Sequence, residues 1–312
     1  MTPDLVLLGN LLVDDIVYAD GSTRMAQPGG AMLYASLAAV LWGASTGCVS
    51  VQGDDYPVAM LAELRARGVL LDGIRPLGAN GIRTWLLYEG GVGNSIRRVI
   101  HRLGCPSHEA VSPLPAHVPE AWRTARAFHL APMPLASQAA LVHAIRAWEK
   151  PEDPAFVSLD PHVPVTPATL RAHRELLAHV DAFFPSDDEL RLRGLLADVR
   201  GTLASLASGR LRFVAWKRGA AGGSLYDAHE DRLHPWTARA PKLEDPTGAG
   251  DAFAAGFVCA WLERHDVELA LRRAVVTAGI AIGAWGPDGL LQATRDEALA
   301  RLATWDDTEV HP

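Results

Sequence analysis

A run of small residues set against one acid carries the chemistry most visible in this sequence. In Asp245-Pro-Thr-Gly-Ala-Gly-Asp-Ala-Phe-Ala-Ala-Gly-Phe257, Gly248, Ala249 and Gly250 stand directly before Asp251, and a helical pattern begins there. Phe253, Phe257, Val258, Trp261 and Leu262 recur at helix spacing, which predicts a helix with one apolar face. The loop brings bare backbone N–H groups to a helix N-terminus, where unpaired donors and the helix dipole favour an anion. Glycine lets a phosphate come close to the backbone. A carboxylate there would repel a resting phosphate. Asp251 makes sense as a group that handles a proton, while the N–H groups of Ala249, Gly250 and Asp251 hold charge that develops in the reaction. Phosphoryl transfer to a hydroxyl has those needs. At an ordinary carboxylate pKa of about 4, Asp251 is ionised at neutral pH without tuning. A tight turn with an Asp N-cap is the plainer interpretation of the same residues. The sequence has no Gly-x-x-x-x-Gly-Lys-Ser/Thr loop, which speaks against a P-loop ATPase.

The full run resembles the C-terminal signature of the ribokinase (PfkB) family of carbohydrate kinases, Asp-Thr-x-Gly-Ala-Gly-Asp-x-Phe, with Pro246 in place of the commoner Thr. The resemblance extends from Leu5 to about Gly289. Gly9 and Asp14 match the family's Gly-x-x-x-x-Asp, whose acid holds sugar hydroxyls; Asp15 is the register alternative, and a solvated acid at a strand end the plain one. Gly29 and Gly30 match paired glycines that lie against the substrate. Four residues on, the family usually has Asn, and this chain has Tyr34. A phenol in place of an amide implies a larger or less polar acceptor, or a ring stacked on Tyr34, unless Tyr34 simply packs beneath a lid.

On the nucleotide side, Ser186-Asp-Asp-Glu189 stands where the family has Asn-x-x-Glu, with Ser186 departing from Asn. The resemblance gives Glu189 the task of organising magnesium, through water, near the phosphates. Without it, Ser186 to Glu189 would be a helix N-cap and an acidic first turn. Lys217-Arg-Gly-Ala-Ala-Gly222 matches Thr-x-Gly-x-x-Gly, a turn against the ATP phosphates and ribose. Gly219 and Gly222 keep that turn, Lys217 replaces the Thr, and Thr247, Gly248 and Gly250 complete the nucleotide contacts. Arg273-Ala-Val-Val-Thr277 lacks the family's Asn, which leaves adenine to apolar packing. Gly53-Asp54-Asp55 corresponds to a turn and helix cap. The resemblance therefore implies an ATP- and Mg2+-dependent kinase, with room for a monovalent cation. Its acceptor would be a small sugar, a nucleoside or a polyol such as a cyclitol. A catalytically silent, ligand-binding member is the rival, against which the intact run Gly248 to Asp251 argues.

Elements that would position these residues follow from periodicity. Leu5–Gly9, Gly47–Val51, Ala127–Leu130, Ala155–Leu159, Ala182–Phe184 and Phe213–Trp216 are short apolar runs expected as buried strands. Helices are expected at Ala31–Trp42, Tyr56–Gly68, Leu135–Trp148, Leu195–Ala207, Glu268–Ala284 and Arg295–Trp305. The alternation predicts an α/β fold, a mainly parallel sheet with helices on both faces, and ligands at the carboxyl ends of its strands. Two segments break it: Asp15–Gln27, with Asp20-Gly21 at its turn, and Gly81–Arg102, with Gly90–Gly93 between two strands. The expectation is a single ribokinase-like domain over residues 1–312, a three-layer αβα sandwich, with segments of about 13–28 and 81–102 forming a small β-sheet lid. Family lids sometimes pair two subunits, which implies a homodimer as one arrangement.

Composition narrows the partners. The chain has 312 residues, 49% hydrophobic composition and a net charge of −7, enough for a large core and without the basic runs that nucleic acid requires. Cys48, Cys105 and Cys259 are widely spaced and show neither metal spacing nor a disulfide framework. The N-terminus lacks a signal-peptide pattern and no apolar stretch would span a membrane, so a cytoplasmic protein is expected.

Overall fold

The computed structural model describes residues 1–88, 96–240 and 242–305. The turn expected at Gly90–Gly93 lies outside them. In chain order the strands are β1 (Leu5–Leu8), β2 (Leu12–Val17), β3 (Thr23–Gly29), β4 (Thr46–Gln52), β5 (Leu70–Pro76), β6 (Arg83–Tyr88) and β7 (Ile96–His101). There follow β8 (Ala127–Leu130), β9 (Phe156–Leu159), β10 (Ala182–Phe183), β11 (Phe213–Lys217), β12 (Gly223–Asp227) and β13 (Arg232–Trp236). The helices are α1 (Ala31–Leu41), α2 (Val58–Ala66), α3 (His108–Val111), α4 (Leu135–Trp148), α5 (Leu170–Leu177), α6 (Val199–Ala204), α7 (Ala249–Arg264), α8 (Val267–Ala281), α9 (Asp288–Gln292) and α10 (Arg295–Ala303).

Nine strands make the main sheet, in the order β13-β12-β11-β10-β9-β8-β1-β4-β5. It is parallel from β11 to β5, and β12 and β13 return antiparallel at one edge. Both faces are covered. In β1, Leu5 and Leu7 join one apolar cluster with α1, α2, α7 and α8, while Val6 and Leu8 join another with α4, α5 and α6. A strand apolar on both sides needs such double cover. The expected α/β architecture is thus present: helices, sheet, helices. No described helix is long and apolar enough to cross a membrane.

A second sheet has the order β3-β2-β6-β7. Each expected strand pair is an antiparallel hairpin, but β2 and β6 join them in parallel. That joint sets Asp14 beside Thr84 and Ile16 beside Leu86. Alternation then puts Asp14, Ile16, Leu86 and Tyr88 on one face. Ile16, Leu86 and Tyr88 pack there with Tyr18 and Trp285.

Six elements depart from the sequence expectation. α7 is not apolar on one face only: every residue from Ala252 to Leu262 is buried, because the helix lies between α1, α8 and the sheet. The segment expected to be helical over Leu195–Ala207 is helical only from Val199, where Asp198 accepts the Gly201 N–H at 2.7 Å. The strands β5, β12 and β13 carry Gly, Pro, Asp or Arg and lack a continuous apolar run, so periodicity passed over them. The polar helix α5 buries only His173, Leu176 and Leu177.

Candidate active site

α7 begins at Gly248, whose backbone is left-handed (φ 77°) and which makes no side-chain cap. The Ala249 N–H bonds the Pro246 carbonyl at 3.3 Å, and the next donor so engaged is Ala252, on the Gly248 carbonyl at 2.9 Å. Of the three N–H groups the sequence suggested, those of Gly250 and Asp251 have no backbone partner, while that of Ala249 has one. Gly248 is fixed by its neighbour: a Cβ there would stand 2.1 Å from Cδ1 of Tyr34. The Tyr34 ring packs directly on the anion loop. Asp251 faces this terminus. Burial raises its pKa to about 6, with Glu189 adding to the rise and Lys217 opposing it. The ordinary value assumed from sequence is thus corrected by desolvation.

Lys217 closes the other side. Its Nζ lies 3.1 Å from where a Cβ of Gly250 would be, and 2.7 Å from Asp160 Oδ1. Burial works against its charge, but the carboxylates of Asp160, Glu189 and Asp251 hold the ammonium above the usual lysine range. Asp160 follows β9 and was not singled out by sequence. It carries no motif, and only the adjacency of β9, β10 and β11 brings it to Lys217.

A cavity of about 210 Å³ lies between the second sheet and the helices α1, α2 and α9. Asp14, Tyr34, Asp245, Thr247 and Trp285 line it. The two adjacent acids have different surroundings. Asp15 accepts Arg83 Nε at 2.5 Å, Arg83 Nη2 at 2.6 Å and the Ala26 N–H at 2.8 Å, which outweigh its burial and hold its pKa low. Asp14 points into the cavity instead. Burial first, then the charges of Asp245 and Asp15, push its pKa up to about 7. A Cβ on Gly29 would stand 1.9 Å from Asp14 Oδ2, so any larger residue there would displace that carboxylate. Gly30 packs as closely, on the Asn10 carbonyl at 2.4 Å from its Cβ position. Gly29 thus leaves room for Asp14, and Gly30 for the backbone of Asn10 to Leu12.

Two lining residues, Asp245 and Trp285, and Tyr88 behind them were missed from sequence. Asp245 accepts Tyr88 Oη at 2.5 Å and the Thr247 N–H at 2.9 Å through Oδ1, and the Gly286 N–H at 2.8 Å through Oδ2. It ties β6, the anion loop and the turn before α9 together. Trp285 meets Tyr18 and Tyr88 edge to face at 4.4 and 5.7 Å. Asp245 was legible as the first residue of the motif. Tyr88 and Trp285 have no local signal, since they become neighbours only through the sheet packing.

In the turn after β10, Glu189 Oε2 accepts the Ser186 N–H and Oγ–H, each at 2.8 Å. No helix starts there, so the capping interpretation falls: Ser186–Glu189 is a turn closed on itself, and α6 begins ten residues later at Val199. Gly219–Ala221 forms a single 3-10 turn after β11, closed by Gly222. Asp55 caps no helix either; Oδ1 accepts the Gly81 N–H at 2.7 Å. Of Arg273–Thr277, Arg273 pairs with Glu263 at 2.5 Å and Thr277 accepts Trp42 Nε1 at 2.8 Å, both in the core. Val276 instead lines an open cleft with Ala238, Arg239 and Ala240. Among the described residues, no three His, Cys, Asp or Glu side chains converge as a metal cage.

The family model of the pfkB carbohydrate kinases matches residues 4–293. A cytidine kinase of Thermococcus kodakarensis is 26% identical over 290 residues, covering 91% of this chain and 97% of that protein. An ATP-dependent ribose-1-phosphate kinase of Halopiger xanaduensis is 32% identical over 284 residues, 88% of each chain. Among solved structures, a fructokinase of Xylella fastidiosa with bound ATP superposes with a TM-score of 0.76 at 18% identity, over 97% of this chain and 99% of that one. A match of that extent, on a fold with the same strand-and-helix plan, makes the chain a member of the pfkB family of carbohydrate kinases, sugar and nucleoside kinases that transfer phosphate to a hydroxyl.

Proposed function

We propose that this chain phosphorylates a hydroxyl of a small uncharged acceptor from ATP and Mg2+, with Asp251 as general base. The observation that carries this is the placement of Asp251. It stands in the first turn of α7, within electrostatic reach of Lys217 and of Tyr34, which lines the same cavity as Asp14. The acceptor hydroxyl gives its proton to Asp251 as its oxygen forms a bond to the γ-phosphorus. The bond from that phosphorus to the bridging oxygen breaks, and the electron pair leaves on ADP. The N–H groups of Gly250 and Asp251 hold the charge on the transferring group. A base with a pKa of about 6 is ionised at neutral pH and still takes a proton readily.

Glu189 suits magnesium. It is a hard oxygen donor, one oxygen is fixed by Ser186, and the other is left for metal-bound water. With no protein cage among the described residues, the phosphates would supply most of the ligands. When bound, the ion neutralises phosphate charge. Gly219–Gly222 would hold the phosphates and ribose, and the cleft at Val276 the adenine.

The acceptor is best understood as a nucleoside, because the cavity offers rings and carboxylates. Tyr34 and Trp285 line it, and Asp14, Asp245 and Asp288 face only Arg24, itself 4.0 Å from Asp288. A sugar phosphate would meet three carboxylates there. Measuring ADP release over free sugars, nucleosides, cyclitols and sugar phosphates tests this. Turnover with a nucleoside should be the highest. Silence with every acceptor would remove the kinase activity, and preference for a phosphorylated sugar would remove the charge argument.

Asp14 gives a pH signature. As a hydroxyl acceptor it must be ionised, and its pKa of about 7 means that protonation competes as pH falls. Acceptor affinity should weaken about tenfold per pH unit below 7 and level off above it. Affinity for a non-hydrolysable ATP analogue should not follow. In Asp14→Asn the slope should vanish, and a slope that persists would place the titrating group elsewhere.

Tyr34→Asn should lower the melting temperature, since the ring packs on Gly248. It should also shift the kcat/KM ratio several-fold toward a simple sugar, the effect of about 1 kcal/mol in ring contact or hydrogen bonding. A stability loss with an unchanged ratio would leave Tyr34 as packing alone.

A further inference from the structure

Lys217 departs from the family pattern, and its surroundings show an arrangement that the nucleotide-binding turn does not require. Its backbone is pinned at the end of β11: the N–H donates to the Pro185 carbonyl at 2.8 Å, and its carbonyl accepts the Asp187 N–H at 3.0 Å. The side chain runs inward, away from the Gly219–Gly222 turn, to the first residues of α7. Its counterion is itself held. Asp160 is 2% exposed, and its carbonyl accepts Gln138 Nε2 at 2.7 Å, while the same nitrogen reaches the Ala131 carbonyl at 3.0 Å. Behind Asp160 lies His129, buried, with Nδ1 2.9 Å from Ser158 Oγ and Nε2 unpartnered at 3.9 Å from Asp160 Oδ2. Desolvation drives His129 down to about 3, so it stands neutral beside the pair. The charged groups around the ammonium are thus Asp160, Glu189 and Asp251.

An ammonium has three donors. Asp160 takes one, and the other two are left at the place where the donors of Gly250 and Asp251 also converge. Moving the lysine fully onto a resting nucleotide would strand the Asp160 carboxylate in a buried, neutral setting, which is costly. The lysine therefore gains most by keeping Asp160 and sharing its free donors with charge that appears between nucleotide and acceptor. Resting on the kinase activity proposed above, we infer that Lys217 is a catalytic residue of the transfer step itself, contacting the phosphoryl group in flight, and that Asp160, seated by Gln138, is its positioning residue. The lysine neither gains nor loses a proton. As the acceptor oxygen bonds to phosphorus and the bridging bond breaks, its fixed charge meets the moving phosphoryl oxygens.

The test separates turnover from nucleotide affinity. Lys217→Met alone would leave Asp160 buried without its cation and could unfold the protein, so the double variant Lys217→Met with Asp160→Asn removes both charges together. Its kcat, with an acceptor that the parent turns over, should fall about a hundredfold, as when an oxyanion donor is removed. Affinity for a non-hydrolysable ATP analogue, by calorimetry, should stay within about threefold. Asp160→Asn alone should lower kcat about tenfold with both KM values unchanged, since the lysine is present but loosely aimed. A loss of analogue affinity with kcat retained would make Lys217 a holder of resting nucleotide and overturn the inference. Equal losses in both, or no loss in either, would overturn it as well. Failure of the parent to phosphorylate any acceptor would instead remove the kinase activity on which it rests.

Discussion

Asp251→Asn is expected to lower turnover by about a hundredfold or more, the range of general base catalysis, while nucleotide affinity stays within a few-fold. Asparagine keeps the size of the side chain and its place in the first turn of α7, but it cannot take the acceptor proton. Asp251 also predicts how the parent responds to pH. Its pKa is raised to about 6 by burial, so the base is protonated progressively below that pH. In the parent, kcat should fall about tenfold per unit below pH 6 and lie flat above it, and Asp251→Asn should lack this limb. A variant that turns over within a few-fold of the parent would show that another group takes the proton. Two carboxylates then titrate in adjacent windows, Asp251 through kcat and Asp14 through acceptor affinity. Saturating the acceptor separates them.

Gly248→Ala is expected to disable the site by geometry. The residue sits at φ 77°, where an L side chain is strained, and its Cβ would fall 2.1 and 2.2 Å from Cδ1 and Cγ of Tyr34. The backbone strain alone costs about 1–3 kcal/mol. Tyr34 is buried beneath the second sheet, so the clash is relieved only by moving the loop, and the donors of Gly250 and Asp251 move with it. The melting temperature should fall by several degrees, and kcat/KM by at least tenfold. Adding Tyr34→Ala removes the clash but leaves the strained backbone, so the pair should recover stability in part and activity less. An alanine variant with the parent's melting temperature and kcat/KM would mean that the loop adapts freely and that its shape is not what holds the anion.

The residues from Gly248 to Asp251 were legible because their chemistry is local. An anion loop needs small residues, an unpaired helix start and an acid within a few positions, and one stretch of chain supplies them all. Six strands of the main sheet, β1, β4, β8, β9, β10 and β11, were legible for a similar reason, since burial on both faces writes a continuous apolar run such as Leu5–Leu8. Asp14 was legible only as one of two adjacent acids. The pairing of β2 with β6 sends Asp15 to Arg83 and leaves Asp14 to the cavity. A period-two strand must send neighbours to opposite faces, and the sequence does not say which face is which.

Desolvation was also beyond the sequence. The acid in the anion loop is the same residue in either setting, but its pKa of about 6 comes from walls supplied by distant elements. The link from Tyr88 to Asp245 spans 157 positions, and that of Lys217 to Asp160 spans 57. Sequence by itself determined the family, most of the parallel strands and the chemical types in the loop before α7, because these depend on periodicity and on contacts within a few residues. Tertiary structure alone decided which acid lines the cavity, which N–H groups have no backbone partner, and where the lysine points. Those outcomes depend on sheet register and on burial, and both are fixed only when segments far apart in the chain pack together.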